Sequence, residues 1–385
     1  MLRNFIMNLS TRIEFGEGKI NQTGEIAKEL GLKKTVIITD KGLAKTDIVK
    51  AIKDSLYSSN IDYIVYDKVR ENPRDVDAQA AGEFARNEGV DSVVACGGGS
   101  SMDLAKAVAA MMTNEGDIKS IMKPNKVKND PVPLICVPTT AGTGSEVTSF
   151  AVLTIEAEGR KSSIFDDKIR PVVAINDPEV LKGLPTSVAA ATGMDALTHA
   201  IEAYTCTLSN PITDGMALQA IRYIAKNITE FVHMRSEESC LNMMAGSLMA
   251  GIAFGFSDIA GVHCMAEALG GMYDTPHGVA NSIFLPIVFE YNIEADVARH
   301  RDVAEALGIS TVGKSDREIA VDGARWLSSV AKELGIPKLK ELGYVDEKKF
   351  EDLADLCMKN VSLPSNARKM EKVDFINLYN KAYNM

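Results

Sequence analysis

The stretch VVACGGGSSMDLAKAVAAM, residues 93–111, decides the fold. Its first residues have the apolar continuity of a buried strand, three glycines follow, and the remainder has the apolar spacing of a helix. Glycine lets the backbone approach a ligand closely, and the first N–H groups of a helix favour an anion. The turn does not match the GxGxxG fingerprint, and a plain tight turn remains the alternative. The residues predicted to bind a nucleotide phosphate are Gly97, Gly98, Gly99, Ser100 and Ser101.

A second glycine- and threonine-rich turn, PTTAGTGSEVTS at residues 138–149, follows another apolar run. Open α/β sheets bind ligands at the carboxyl ends of their strands, so two such turns indicate one ligand-binding edge of the sheet. The alternative for residues 138–149 is a polar loop. Asp40 ends an earlier strand, where a carboxylate either accepts from a ribose 2′-OH, which favours NAD over NADP, or caps a helix. The hydroxyl residues predicted to contact the cofactor are Thr139, Thr140, Thr143 and Ser145.

The two halves of the chain have different patterns. Up to about residue 180, the runs TVIITD, YIVYD, PLICVPTT and PVVAINDP alternate with helical segments, which predicts a mostly parallel sheet covered on both faces. After Asp177 and Pro178, a good helix start, strand signals stop. We therefore expect an α/β dinucleotide-binding domain at residues 1–180 and an all-helical domain at residues 181–385.

Composition excludes several functions for these 385 residues. A net charge of −10 argues against nucleic acid and against a polybasic membrane surface. The N-terminus lacks a signal-peptide pattern, and the uncharged residues 241–257 are expected to form a buried helix rather than a membrane span. Six widely spaced cysteines without a Cys-x-x-Cys pair indicate reduced thiols. The protein is predicted to be cytoplasmic.

Three of the five histidines and one aspartate lie in the second half. Asp-x-x-x-His in GMDALTHAIEAYT places two side chains one helical turn apart, and two more histidines lie in the apolar context GVHCMAEALGGMYDTPHGVAN. An unpartnered imidazole is costly to bury there, whereas one carboxylate with three imidazoles suits a divalent transition metal. The predicted ligands are Asp195, His199, His263 and His277. His233 and His300 are expected to face solvent.

Together, GGGSSMDLAKA, PTTAGTGSEVTSFAVLT, GMDALTHAIEAY and GVHCMAEALGGMYDTPHGVANSIFLP resemble the iron-containing (group III) alcohol dehydrogenases, a likeness that runs from about residue 12 to residue 368. The resemblance implies an N-terminal NAD-binding domain and a helical domain that holds a divalent metal, Fe²⁺ first and Zn²⁺ second, with the active site in the cleft between them. It implies a homodimer or higher homo-oligomer acting on a small alcohol or aldehyde. It adds cofactor contacts at Asp40, Asn72, Asp103 and Lys161, with apolar Phe150 and Phe254 near nicotinamide and substrate.

One position departs from the family pattern. Many relatives carry a further histidine four residues after the third ligand, often assigned to proton relay, and this chain has Glu267 there. Glu267 could orient His263, relay the proton itself, or serve as a fifth ligand. Small primary alcohols, diols, lactaldehyde and short acidic aldehydes all occur as substrates of similar proteins. The alternatives are a glycerol dehydrogenase or a sugar-phosphate cyclase lyase of the same superfamily.

Overall fold

The computed structural model describes residues 4–385, which form two compact units. The first, called the α/β unit here, comprises Asn8–Thr140 and Ser145–Leu184. The second, called the helical unit, comprises chiefly Ala141–Gly144 and Pro185–Met385. The four residues Ala141–Gly144 thus belong with the helical unit, although the chain on both sides of them lies in the α/β unit.

The α/β unit contains a six-stranded sheet and a two-stranded hairpin. The strands are β1 Arg12–Phe15, β2 Lys34–Ile38, β3 Asp62–Tyr66, β4 Ser92–Gly97, β5 Leu134–Pro138, β6 Phe150–Ile155, β7 Arg160–Phe165 and β8 Val173–Asn176. The large sheet has the order β1-β8-β5-β4-β2-β3 with every pair parallel, while β6 and β7 pair antiparallel. The predicted mostly parallel sheet is confirmed. Strand β1 (RIEF) is short and alternates in polarity, and β7 (RKSSIF) begins with four polar residues, so neither gives a continuous apolar run. Strand β6 (FAVLTI) is mostly apolar and was missed.

The crossovers of the sheet are helices packed on buried strands. They are α1 Thr23–Glu29, α2 Asp47–Ser58, α3 Asp75–Asn87 and α4 Gly99–Thr113. Strand β4 is buried along its whole length, and α4 buries an almost continuous run from Ser101 to Met111. A strand and a helix that are both apolar on nearly all sides need protein on all sides, so their shared turn is held at the centre of the sheet.

The helical unit consists of packed helices. They are α5 Thr186–Thr205, α6 Pro211–His233, α7 Glu237–Gly255, α8 Gly261–Tyr273, α9 His277–Asn292, α10 Val297–Ala306, α11 Asp316–Glu333, α12 Phe350–Cys357 and α13 Lys372–Asn384. The helix expected to begin after Asp177 is only a 3-10 turn, Pro178–Leu181, although the Asp177 side chain does accept from the N–H of Glu179. Pro185 lacks an N–H and disfavours helix in the residue before it, so α5 begins only at Thr186.

The prediction for His300 was wrong. Its side chain is buried, with Nδ1 2.7 Å from the Asp296 carbonyl oxygen one helical turn earlier and the ring packed against Phe289. The charged neighbours ARHRD suggested solvent, but they occupy the other faces of the helix. His233 is exposed as expected. Within residues 4–385, the helices are all too short or too polar to cross a membrane.

Candidate metal and cofactor site

The turn between β4 and α4 needs glycine at its first position. Gly97 has a φ of 152°, and a Cβ added there would lie 2.3 Å from the Ser101 Oγ. Gly98 is the N-cap of α4, and a Cβ there would be 3.3 Å from the Thr140 side chain. The N–H of Thr139 donates to the carbonyl of Gly97 at 3.0 Å, which joins the two predicted turns at one sheet edge. The backbone can therefore approach a phosphate closely at the start of α4.

The second turn is fastened to α4 by a buried polar network. Asp103 accepts from Ser145 Oγ at 2.7 Å and from the N–H of Val152 at 2.9 Å. Lys106, completely buried, donates to Ser145 Oγ at 2.8 Å and to the carbonyl oxygen of Phe150 at 2.6 Å. Burial lowers the pKa of Lys106, although the charge of Asp103 opposes the shift. The sequence analysis missed Lys106; the signal was its place three residues after Asp103 on one helix face.

The remaining predicted cofactor residues of the α/β unit make their contacts at separate places in that unit. Asp40 accepts from the N–H groups of Gly42 at 2.7 Å and Leu43 at 3.0 Å, just before a 3-10 turn whose N-cap is Gly42. Its contact with a ribose stays a prediction. Lys161 donates to Asn72 Oδ1 at 2.6 Å. Phe150 stacks on a neighbouring ring in the β6–β7 hairpin, with centroids 4.6 Å apart. Thr143 differs from all of these, because it lies in Ala141–Gly144 of the helical unit.

The four predicted metal ligands come together in the helical unit. Asp195 and His199 project from α5, His263 from α8 and His277 from the first residue of α9. One donor atom from each lies within 4.8 Å of the others. Among residues 4–385, His199 Nδ1 is a buried nitrogen without a hydrogen-bond partner, 3.9 Å from Asp195 Oδ2. One carboxylate and three imidazoles with an unused buried lone pair fit a divalent transition metal.

The protonation states of these ligands suit a cation. Burial lowers the pKa of His199 and of His263 to about 4, against the attraction of Asp195, and His277, which is more exposed, shifts in the same direction. Burial by itself raises the pKa of Asp195, but the imidazoles and the Asn281 amide lower it overall. At neutral pH the cluster is one carboxylate with three neutral rings, which is the form that binds metals.

Asn281, which the sequence analysis missed, lies among the ligands. Its Nδ2 donates to Asp195 Oδ1 at 2.7 Å and lies 3.1 Å from the Nε2 atoms of both His263 and His277. Asn281 follows His277 by one turn of α9, so the sequence signal was helical spacing from a predicted ligand. The buried amide nitrogen thus lies against three ligand atoms, and its two hydrogens can be donated to two of them at a time.

Glu202 is the carboxylate next to His263. Its Oε2 lies 2.5 Å from His263 Nδ1 and accepts from the N–H of Ala260 at 3.0 Å, and its Oε1 accepts from the N–H of Val262 at 2.7 Å. Burial raises the pKa of Glu202 to about 7, against these backbone donors. The sequence signal that could have identified Glu202 was again helical spacing, because Glu202 lies seven residues after Asp195 on the same face of α5.

Two further predicted residues border the cluster. Phe254 stacks on His199 with centroids 4.3 Å apart and a 17° interplanar angle, so it covers one side of that ring. Glu267, on α8, accepts from Asn360 Nδ2 at 2.7 Å. Of the three roles considered for Glu267, orientation of His263 falls to Glu202 in the structure. Its part in proton relay stays a prediction.

Comparison with known proteins shows which family this chain is similar to. Residues 10–178 match the family model "Iron-containing alcohol dehydrogenase", and residues 189–383 match "Fe-containing alcohol dehydrogenase family, C-terminal". The chain is 40% identical to 1,3-propanediol dehydrogenase of Citrobacter freundii over 379 residues, 96% of each chain. A crystal structure of 1,3-propanediol oxidoreductase superposes with a TM-score of 0.94 at 37% identity, covering 99% of this chain and 100% of that one. Sulfoacetaldehyde reductase of Bifidobacterium kashiwanohense in complex with NAD⁺ gives 0.89 at 27% identity, with 100% of both chains covered.

The molecule thus combines a parallel α/β unit with a buried Asp/His cluster that can hold a metal ion, and its relatives are oxidoreductases. The chain belongs to the iron-containing alcohol dehydrogenase family. The predicted family, fold class and enzyme class are confirmed, and so are NAD and a divalent metal as its cofactors.

Proposed function

We propose that this chain interconverts a small primary alcohol or diol and its aldehyde. The reaction is alcohol plus NAD⁺ to aldehyde, NADH and a proton. The observation that carries the proposal is the convergence of Asp195, His199, His263 and His277 within 4.8 Å in a member of this family. A small diol is favoured because 1,3-propanediol dehydrogenase aligns with nearly the whole chain at 40% identity.

We assign the cofactor site to the two turns that meet where Thr139 bonds to Gly97, with the open backbone of residues 97–101 facing a pyrophosphate. When bound, the metal supplies a Lewis acid for the alcohol oxygen, and NAD supplies the hydride acceptor. Asp195 and the three neutral imidazoles would hold the metal, and the Asn281 amide contacts three of those four groups. Phe254 shields the His199 ring from water.

Glu267 is proposed to exchange the proton that the alcohol loses with solvent. It lies on α8 one turn after His263, and its charge acts on His277 by raising the pKa of that imidazole, though less than burial lowers it. Asn360 holds the carboxylate by one oxygen, Oε2. Glu267→Gln is therefore expected to change the pH profile of kcat more than the metal content. An unchanged pH profile would remove Glu267 from the proton route.

The decisive experiment is a kinetic panel after metal analysis. Apo protein is reconstituted anaerobically with Fe²⁺ or Zn²⁺ and assayed by NADH absorbance against 3-hydroxypropionaldehyde, lactaldehyde, short acidic aldehydes and simple aldehydes. We expect metal-dependent turnover, fastest with the short hydroxyaldehyde. Turnover by metal-free protein, or none with any carbonyl substrate, would refute the proposal.

We also propose a cytoplasmic homo-oligomer. The support is the six free and buried cysteines, which fit a reducing compartment, and the family itself. Light scattering of the purified protein tests the oligomeric state directly: a monomer at micromolar concentration contradicts it.

A further inference from the structure

Glu202, a buried glutamate beside the predicted metal ligands, contacts three nitrogen atoms at once. Its two oxygens face three N–H positions, those of Ala260, Val262 and His263 Nδ1. The first two belong to the N-terminal end of α8, where backbone donors lack partners within the helix. A buried carboxylate at this end is stabilised by the helix dipole, so one side chain from α5 fixes both the start of α8 and the ring that α8 carries.

The ring of His263 has different partners on its two sides. Nδ1 lies 2.5 Å from a Glu202 carboxylate oxygen, and Nε2 lies 3.1 Å from the Asn281 amide nitrogen. A flipped Asn281 would place its oxygen against Asp195 Oδ1, so the amide orientation follows from the contacts. A carboxylate oxygen accepts and an amide nitrogen cannot accept, so both contacts favour the neutral tautomer with the proton on Nδ1 and a lone pair on Nε2.

Burial supports the same role. Glu202 is only 3% exposed, so its contact with the His263 ring is shielded from water. An imidazole that donates to a carboxylate is also a more basic metal ligand.

We propose that Glu202 is the positioning residue of the metal site: it selects the Nδ1–H tautomer of His263 and so presents Nε2 to the metal. The proposal rests on the metal site assigned under Proposed function. Glu267, four residues after His263, was the sequence candidate for this role, but the structure gives it to a residue that is 61 positions away in the chain.

The test measures the dissociation constant for Zn²⁺ alone by competition with a chromophoric chelator. Glu202→Gln preserves size but replaces one acceptor oxygen with a donor, and we expect Zn²⁺ affinity to fall by about 10–100-fold. Two controls separate positioning from simple stabilisation. Asn366→Ala removes the side chain that accepts from the N–H of Gly261 at the same helix end, and Glu267→Gln makes the same chemical change on α8. Neither control should weaken Zn²⁺ comparably.

A second measurement requires no variant of Glu202 to fold. In metal-free wild-type protein labelled with ¹⁵N-histidine, the ring nitrogens of His263 are assigned against His263→Gln, and we expect the Nδ1–H tautomer. An Nε2–H tautomer overturns the proposal, and so does a Glu202→Gln variant that binds Zn²⁺ as tightly as wild type or no more weakly than the Asn366→Ala control. If wild type binds no Zn²⁺ or Fe²⁺, the metal site itself fails, and this inference fails with it.

Discussion

Replacing Lys106 by methionine is expected to destabilise the α/β unit and weaken NAD binding without affecting the metal. The ammonium is completely buried and donates to Ser145 Oγ, Thr148 Oγ1 and the Phe150 carbonyl at 2.8, 3.1 and 2.6 Å. It lies 3.9 Å from Asp103 Oδ1. Methionine fills a similar volume but satisfies none of these acceptors.

The magnitude follows from two opposing effects. Each hydrogen bond to a charged group contributes about 1.5–3 kcal/mol, and breaking a buried ion pair by removing one partner costs about 3–5 kcal/mol. Removing the ammonium also relieves the desolvation that lowers its pKa, which offsets part of the loss. We expect a net loss of about 3 kcal/mol, which in a domain of this size lowers Tm by about 6–12 °C.

The assays are calorimetry of the apo protein, KM for NAD and the dissociation constant for Zn²⁺. KM for NAD should rise because Lys106 holds residues 145–150, whereas Zn²⁺ affinity should not change because the ligands lie in the helical unit. Lys50→Met is the matched control: its side chain is 68% exposed and pairs only with Asp54 at the surface, so Tm should change little. An unchanged Tm and KM in Lys106→Met would refute the reasoning.

Four further predictions concern the helical unit. Asp195→Ala should abolish turnover and metal retention, measured by elemental analysis, yet leave a cooperative unfolding transition, because the remaining ligands are neutral imidazoles. Gly144→Ala, at φ 59° and with its Cβ only 2.3 Å from backbone, should lower stability in urea by at least about 2 kcal/mol. Gly215→Ala, in open space within α6, should raise it by about 0.5–1 kcal/mol. Because burial lowers the pKa of His199 to about 4, the unfolded state binds more protons below about pH 6.5, so apo stability falls from there toward pH 4. Urea titrations across this window should show a smaller loss in His199→Phe, and an equal loss would contradict the assignment.

The sequence by itself determined the features that depend on local pattern. Continuous apolar runs predicted the central strands, since a strand covered on both faces has no polar side to display. Glycines at 97–99 predicted a tight turn, in which Gly97 has a φ that other residues rarely adopt, and helical spacing joined Asp195 to His199. The short edge strand Arg12–Phe15 and the largely polar strand β7 were not predicted, because pairing with neighbouring strands and not an apolar run defines them. The mostly apolar strand β6 was missed.

Tertiary structure alone decided which groups surround each predicted residue. Lys106 reaches residues about 40 positions away, and Glu202 and Asn281 reach His263 from two other helices. No local pattern encodes such contacts, because the packing of α5, α8 and α9 sets them. The sequence therefore predicted the ligands and pointed to a nearby glutamate, Glu267. In the fold Glu202 contacts His263 instead, because a carboxylate two turns after Asp195 on α5 lies next to the N–H donors at the start of α8.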